Sequence, residues 1–409
     1  MKQISFADLL SQETKHDPVA FAAHLREQGP LLPLTAPFGF GTGAWMTTTY
    51  EDAVAVLKDP RFAKDTLKFG LTEQEQASTD EKEDIFKRFL AFRRDMLTVD
   101  PPDHTRLRGL VSRAFTPRMI EQLRPRIQQI ADELLEAVQG SGRMDLIADF
   151  AFPLPITVIS EMLGIPVEDR LQFRTWSQTI IANSVGSQPQ EALAALEAFV
   201  QYIKNFLVAK CARPADDLTS ALVEAEEGGD RLHENELIST IFLLIVAGHE
   251  TTVNLIGNGM LALLLHPEQM ELLRQDSSLL PSAIEELLRY TAPVTLSTPR
   301  WASEDIVMHS QVIGKGEMVF VSLVAADIDQ HQFTDPQVLD ITRRENQHLA
   351  FGKGIHYCLG APLARLEGQI AINTLLQRLP NLRLACEPEQ LMWNPSPILR
   401  GLTSLPVEF

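Results

Sequence analysis

The apolar residues of this 409-residue chain recur at helical spacing over most of its length. A repeat every three or four residues places them on one face of a helix, where a core can bury them. The segments predicted as helices on this basis are residues 51–57, 104–115, 117–138, 234–266, 280–290 and 361–379. The longest ends before Pro267, which cannot continue a helix, and the second opens after capping signals in residues 100–103.

Two segments break the helical pattern and are predicted as β-rich, at about residues 31–49 and 295–324. The second alternates apolar and polar positions and has turns at Gly314 and Gly316. The first surrounds a glycine-rich stretch, residues 37–43, which is predicted as a hairpin turn because no strand-then-helix pattern follows it, as a nucleotide loop requires. The pattern therefore predicts a mainly α fold with a smaller β portion.

Residues 78–97 are highly charged, yet Phe86, Phe89 and Phe92 lie along one helical stripe. Such a stripe favours a surface helix packed on the core. The alternative is a helix that covers a bound ligand.

Composition and charge narrow the class of protein. With 45% hydrophobic and 22% charged residues, the chain can bury a large core. A formal net charge of −18 argues against nucleic-acid binding, because a phosphate backbone would repel the protein. The chain has neither a signal-peptide pattern nor an uncharged apolar stretch of about 18 residues, which predicts a cytoplasmic protein without a membrane span.

One of the three cysteines lies in a glycine-rich segment. Cys211, Cys358 and Cys386 are too few and too far apart for a disulfide scaffold or a Cys-based zinc site. Cys358 lies in the glycine-rich segment 351–360 (FGKGIHYCLG), directly before a predicted helix. A helix N-terminus favours a thiolate, so this sulfur suits either a nucleophile or the single protein ligand of a metal cofactor.

Two further features stand in predicted helices. Residues 247–252 (AGHETT) place Glu250 and Thr251 within an apolar helix, where polar side chains are costly unless they serve a polar function. The start of a His-Glu-x-x-His zinc motif fails there, because position 253 is Val253. Glu286 and Arg289, three residues apart, would by themselves most often form a solvated ion pair.

Together these three features resemble the cytochrome P-450 superfamily, whose motifs occur in the same order along the chain. The matches are to its A-G-x-[D/E]-T helix motif, its E-x-x-R pair and its haem-thiolate loop F-G-x-G-x-x-x-C-x-G. The resemblance extends over nearly the whole chain and implies one domain at residues 1–409, with haem between the long central helix and the helix after Cys358. Length alone would suggest about two or three domains.

The resemblance implies a role for each matched residue. Cys358 corresponds to the axial ligand of iron in haem b (iron protoporphyrin IX), and Glu250 with Thr251 to an acid–alcohol pair that delivers protons. Glu286 and Arg289, completed by Arg343, correspond to a structural ion-pair triad. The remaining haem-contacting positions implied are His104, Arg108, Arg300, Phe351, His356 and Gly360. Ile328 stands where close bacterial relatives usually have an arginine. The loss of the ion pair that such an arginine would form is expected to affect the local packing.

Substrate and partners are also implied by the resemblance. The pocket positions are Phe86, Phe89, Phe92, Leu243, Leu244, Ala247, Val294, Thr295, Leu296, Ile398 and Leu399. They are largely apolar and imply a lipophilic substrate, such as a macrolide, another polyketide, a terpenoid or a sterol-like compound. No flavin or nicotinamide segment follows Cys358. Electrons from NAD(P)H are therefore expected through a ferredoxin reductase and an acidic ferredoxin, docking on a monomer near Arg106, Arg113, Lys353 and Arg365.

The sequence is compatible with three functions. The leading one is a monooxygenase of secondary metabolism that uses dioxygen. A peroxide-driven peroxygenase and a non-catalytic haem protein that binds ligands are the alternatives. Neither alternative needs a proton-delivering pair, so Glu250 and Thr251 favour the monooxygenase.

Overall fold

The structure, a computed structural model, describes residues 4–35, 43–65, 94–183, 189–227 and 229–409. The chain divides into two compact units. The first unit comprises Met1–Phe62, Glu121–Pro155 and Glu250–Phe409, and the second comprises Ala63–Ile120 and Ile156–His249. The prediction of one domain at residues 1–409 stays a prediction.

Helices account for 58% of the chain, which confirms the mainly α class with a smaller sheet portion. The helices of the described residues are α1 (Phe6–Leu10), α2 (Gln12–His16), α3 (Pro18–Gln28), α4 (Tyr50–Lys58), α5 (Asp103–Ala114), α6 (Pro117–Gln122), α7 (Arg124–Gln139), α8 (Pro153–Met162), α9 (Arg170–Asn183), α10 (Pro189–Ala212), α11 (Leu218–Glu224), α12 (Glu234–Leu265), α13 (Pro267–Gln275), α14 (Leu280–Thr291), α15 (Leu323–Asp327) and α16 (Ala361–Arg378). Short 3₁₀ turns, among them Gly354–His356, connect some of them.

The strands are short and form small sheets. They are β1 (Leu31–Leu34), β2 (Ala44–Thr47), β3 (Phe62–Ala63), β4 (Arg143–Asp145), β5 (Glu226–Glu227), β6 (Asp230–Arg231), β7 (Arg300–Ala302), β8 (Ile306–Met308), β9 (Gln311–Ile313), β10 (Met318–Val321), β11 (Arg383–Leu384) and β12 (Pro406–Glu408). The main sheet has the order β1-β2-β10-β7-β3, with β1 antiparallel and β10 parallel to β2. Both predicted β-rich segments therefore contribute strands to it, while residues 37–42 of the predicted hairpin turn lie outside the described residues.

In the first unit, α16 packs against the C-terminal half of α12 and against α14. Gly368 lies at their meeting point, where an added Cβ would lie 3.0 Å from Leu255 on α12 and 3.2 Å from Ile284 on α14. The missing side chain thus lets three helices approach closely. On another face of α16, the Gln128 amide of α7 donates a hydrogen bond to the Thr374 hydroxyl over 2.9 Å.

The second unit is organised around aromatic side chains. Phe173 on α9 packs edge to face against Phe199 and Tyr202 on α10, with ring centroids 5.4 Å and 4.8 Å away. Phe199 in turn contacts Phe242 in the N-terminal half of α12 at 5.2 Å. These rings join α9, α10 and α12 into one apolar cluster.

Two details of the predicted elements were wrong. The helix predicted at residues 117–138 is two helices, α6 and α7, because Pro125 cannot donate a backbone hydrogen bond and its ring would clash with the preceding turn. The capping expected from residues 100–103 is also missing, since no side chain caps α5. The Asp100 carboxylate instead accepts hydrogen bonds from the backbone of Lys64 and Asp65 over 2.9 and 3.1 Å.

The replacement of arginine by Ile328 leaves no packing defect. Ile328 is fully buried in a small apolar cluster with Ala22, Ala292, Val324 and Ala325. Its neighbour Asp327 is also buried and accepts a hydrogen bond from the backbone of Leu349 over 2.6 Å. Burial raises the pKa of Asp327 to about 6.

A buried ion-pair network joins α14 to the segment that follows α15. Glu286 and Arg289, both fully buried, form a bidentate pair over 2.7 and 2.8 Å. Arg343 donates to the same carboxylate over 3.0 Å, and Arg289 also donates to the backbone carbonyls of Asp327 and Pro336. The three residues predicted as a structural triad are thus in direct contact.

By length and composition, two helices of the described residues are apolar enough to cross a membrane, at Gln190–Ala212 and Glu234–Leu265. The apolar window of the second is 67% buried inside the protein, as in the core helix of a soluble protein. Such helices are weak evidence for a membrane span.

The Glu286–Arg289 pair generates a stability prediction. Glu286→Ala leaves a buried guanidinium without its carboxylate, so we expect the free energy of unfolding to fall by about 3–5 kcal/mol. Glu121→Ala is the matched control, because Glu121 and Arg124 have the same three-residue spacing on an exposed surface. Urea unfolding should leave the control nearly unchanged, and equal losses in both variants would contradict the role of burial.

Candidate active site

The backbone around Cys358 is held by a series of short-range hydrogen bonds. The Gly352 amide donates to the Leu349 carbonyl over 2.7 Å, and the Cys358 amide donates to the Phe351 carbonyl over 3.0 Å. Residues 351–358 thereby form a closed loop, called here the cysteine loop. Cys358 is half-buried and lies two residues before Gly360, the N-cap of α16. This position next to a helix N-terminus favours a negatively charged sulfur.

Two glycines of the cysteine loop have left-handed backbone conformations, for which glycine is favoured. They are Gly352, with φ of 71°, and Gly354, with φ of 75°. Gly354 also lies against the end of α4, where an added Cβ would be 2.6 Å from the Leu57 carbonyl oxygen. At Gly352, an added Cβ would meet nothing within 4 Å. Gly354 therefore satisfies a steric as well as a conformational requirement.

Arg365 on α16 links the cysteine loop to α14. Its guanidinium donates two hydrogen bonds of 2.7 Å to Glu285 and one of 3.2 Å to the Tyr357 hydroxyl. It also lies 4.5 Å from the centroid of the Phe351 ring. Burial alone would raise the pKa of Glu285, but hydrogen bonds from Arg365 and His348 lower it to about 2. Glu285 is therefore an anion at physiological pH, and it anchors the loop through Arg365.

Polar side chains cluster in the middle of α12. Burial raises the pKa of Glu250 to about 7, so this carboxyl exchanges its proton near neutral pH. His249 is fully buried, and its Nδ1 donates to the Ile245 carbonyl one turn earlier over 2.7 Å. Thr252 is buried, whereas Thr251 is partly exposed. The two threonines therefore have different surroundings although they are adjacent in sequence.

Glu367 on α16 is a polar residue that the sequence reasoning missed. Its side chain is 1% exposed, and neither carboxyl oxygen has a hydrogen-bond partner among the described residues. Burial raises the pKa of Glu367 to about 8, so it is mostly neutral at pH 7. The Thr252 hydroxyl opposes this shift without reaching hydrogen-bonding geometry. A signal was present, because Glu367 shares its helical face with the buried Leu363 and Ile370.

The residues that the family resemblance matches to contacts with the haem propionate groups are divided between the two units. In the second unit, His104 and Arg108 stand one turn apart on α5, with His104 buried. Burial lowers the pKa of His104, and the nearby Arg108 charge adds to that effect. In the first unit, Arg300 on β7 is 5% exposed and donates to the Phe62 carbonyl over 3.3 Å. His356 is half-buried within the cysteine loop.

The predicted substrate-lining residues are brought together in part. In the first unit, Val294 pairs with Leu399, and the Thr295 amide donates to the Ile398 carbonyl over 2.8 Å. Leu296 is buried and pairs with Ser322. The residues of α12 in the second unit are Leu243 and Leu244, which are buried, and Ala247, which is exposed. Phe86, Phe89 and Phe92 lie outside the described residues.

The cysteine loop allows a prediction about its glycines. Gly352→Ala incurs only the left-handed backbone penalty, so we expect a loss of about 1–2 kcal/mol in the free energy of unfolding. Gly354→Ala adds a clash with the Leu57 carbonyl, so we expect about 1–3 kcal/mol more. Urea unfolding of both variants measures the difference. Equal losses would show that the loop does not depend on close contact with α4.

A statistical description of the cytochrome P450 family matches residues 43–394, most of the chain. Cytochrome P450 CYP107DY1 of Priestia megaterium is 56% identical over 413 residues, covering 100% of both chains. Polyketide biosynthesis cytochrome P450 PksS of Bacillus subtilis is 45% identical and covers 97% of this chain and 96% of its own.

A solved structure extends this likeness from sequence to fold. Myxobacterial cytochrome P450 CYP267B1, in complex with myristic acid, matches with a TM-score of 0.90 and 44% identity, covering 98% of each chain. The motifs around Glu250, Glu286 and Cys358, the mainly α fold and these full-length matches agree with one another. The chain belongs to the cytochrome P450 family and is a P450 monooxygenase.

Proposed function

We propose that this monooxygenase hydroxylates a lipophilic small molecule of the polyketide or macrolide class, with haem held by Cys358. The observation that carries the proposal is the cysteine loop, which presents one thiol directly before the N-terminus of α16. Members of this family contain haem iron, and a thiolate ligand is typical of them. When bound, haem activates dioxygen so that one oxygen atom enters the substrate and the other leaves as water.

The donor set of the chain fits haem. Cys358 offers a single sulfur ligand, and the described residues contain no group of three or more His, Cys, Asp or Glu side chains that would hold a metal ion by themselves. This set suits a metal that is held mainly by an organic cofactor. The buried Arg300 offers a cation to a carboxylate, as Arg108 does beside His104. We propose Arg300, His104, Arg108 and His356 as propionate contacts, with Phe351 and Gly360 beside the ligand.

Glu250 and Thr251 are proposed as the proton-delivering pair. The raised pKa of Glu250 lets its carboxyl both accept and donate a proton near pH 7. Thr251 is the partly exposed threonine of the pair Thr251 and Thr252, so its hydroxyl is the one suited to act at the reacting oxygen. Such a pair moves protons inward while the apolar surroundings of α12 exclude bulk water.

The substrate class is supported by the apolar pocket positions and by the relatives. Among the described positions, all but Thr295 are apolar, so area burial would provide most of the binding free energy. PksS is named for polyketide biosynthesis, and CYP267B1 binds myristic acid. Myristic acid is largely hydrocarbon, which agrees with an apolar pocket. We place the enzyme in the cytoplasm and in secondary metabolism.

Bacterial P450 enzymes typically need separate redox partners. We propose a ferredoxin and its NAD(P)H-dependent reductase as these partners, docking near Arg106, Arg113, Lys353 and Arg365. Two of these arginines also bind carboxylates of the chain itself. Arg106 forms ion pairs with Glu236 and Asp230, and Arg365 pairs with Glu285. Their charges are therefore largely neutralised within the protein.

The ligand assignment predicts a spectroscopic result. The haem-loaded protein, reduced under carbon monoxide, should show the strongly red-shifted Soret band of thiolate-ligated iron. Cys358→Ala should abolish that band. Cys211→Ala and Cys386→Ala are matched controls with the same chemical change and should retain it. Retention of the band in Cys358→Ala would refute the assignment.

The proton-delivery assignment predicts a loss of coupling. In Thr251→Ala we expect product formed per NAD(P)H consumed to fall by about tenfold or more, with peroxide released instead, because the hydroxyl that delivers the proton is missing. Thr251→Ser keeps a hydroxyl and should remain largely coupled. Product and peroxide are measured together for each variant. Unchanged coupling in Thr251→Ala would exclude Thr251 from the pair.

A further inference from the structure

A small cavity in the first unit lies between α2 and the segments around Thr295 and Arg400. Its volume is about 20 Å³, enough for one water molecule or one monatomic ion. Two cationic side chains, Lys15 and Arg400, line it, together with hydroxyl-bearing and apolar residues. The role of these two cations is not part of the P450 reaction proposed above.

Lys15 is an ammonium group placed inside the protein. Its side chain is 3% exposed, and its Nζ donates to the carbonyls of Ser396 and Leu399 over 2.5 and 2.8 Å. An ammonium group has three donors, so one remains after these two bonds. Burial, with the Arg400 charge adding to it, lowers the pKa of Lys15 to about 8. The positive charge of Lys15 is therefore poorly compensated.

Arg400 is a second buried cation at the same cavity. It is 8% exposed, and it donates to the carbonyls of Lys15 and Thr291 over 2.7 and 2.8 Å. Its guanidinium carbon lies 3.8 Å from the centroid of the Trp393 ring. Burial lowers the pKa of Arg400, an effect that Tyr290 and Asp17 oppose only in part.

No carboxylate of the described residues comes within 4.0 Å of either cation to form an ion pair. Buried charges are normally paired, because removing each from water costs several kcal/mol. Here two of the same sign share one cavity, and the carbonyl groups that they contact carry no net charge. Among the described residues, the two charges therefore lack a counter-charge.

We propose that Lys15 and Arg400 bind one monatomic anion, chloride in the cell, in this cavity. The cavity is small, which favours a monatomic ion over a larger one. A water molecule could accept from both cations, but it would leave two buried like charges without a counter-charge. An anion accepts the same hydrogen bonds and supplies the counter-charge.

The bound anion would join α2 to two segments of the proposed substrate pocket. Lys15 belongs to α2, and it reaches the carbonyl of Leu399. Thr295 and Leu296 line the cavity themselves. The anion is therefore expected to stabilise this part of the first unit without taking part in oxygen transfer.

A crystal of the haem-loaded enzyme grown in sodium bromide provides the direct test. Bromide replaces chloride and is located by its anomalous scattering. We expect one anomalous peak within contact distance of Lys15 Nζ and the Arg400 guanidinium. Density for a water molecule, with no anomalous signal in the cavity, would overturn the proposal.

Thermal unfolding of the haem-loaded enzyme tests the site in solution. Chloride is titrated against gluconate at constant ionic strength, and we expect a saturable rise of about 1–3 °C in the unfolding midpoint. Lys15→Met should lose this rise, whereas Lys58→Met, which removes an exposed lysine on α4, should keep it. A bromide peak without a chloride-dependent midpoint in the wild-type enzyme would mean an adventitious ion only, and would also overturn the proposal.

Discussion

The position of Cys358 depends on two consecutive carboxylates of the first unit, the partly exposed Glu285 and the fully buried Glu286. Glu286 binds Arg289, which donates to the Asp327 carbonyl. The Asp327 carboxylate accepts from the amide of Leu349, two residues before the cysteine loop. Glu285 binds Arg365, whose guanidinium covers Phe351 on the other side of the loop. A buried carboxylate is stable only when it is fully paired, so these contacts leave the loop little freedom to move.

Much of this arrangement was predictable from the sequence, because the residues involved stand in motifs. The elements around Glu250, Glu286 and Cys358 follow from periodicity and from the family resemblance, which also assigns Arg343 to the ion pair. Local chemistry also explains the main error, since Pro125 divides a helix that apolar periodicity alone predicts as continuous. The fit of Ile328 could not be predicted, because it depends on Ala22 and Ala292, which are distant in sequence.

The charges that the sequence reasoning did not interpret are those whose partners are set by tertiary structure. Glu367 reads as an ordinary residue of a helix, yet it is buried and its pKa is raised. Lys15 and Arg400 are 385 positions apart and meet only in the folded chain. Arg106 and Arg365 show the opposite case. The sequence predicts them as surface cations available for binding, but in the structure they pair with carboxylates. Residue type and spacing predict chemistry well, whereas burial decides whether a charge is available for binding.

The division into two units has an evolutionary consequence. The residues that hold the cysteine loop, among them Leu57, Glu285 and Arg365, belong to the first unit. Leu243, Leu244 and Ala247 belong to the second. Substitutions at those α12 positions, proposed above as substrate-lining, therefore leave the residues that hold the cysteine loop unchanged. On that proposal, a lineage that carries this scaffold could diversify its substrates while the support of Cys358 is inherited unchanged.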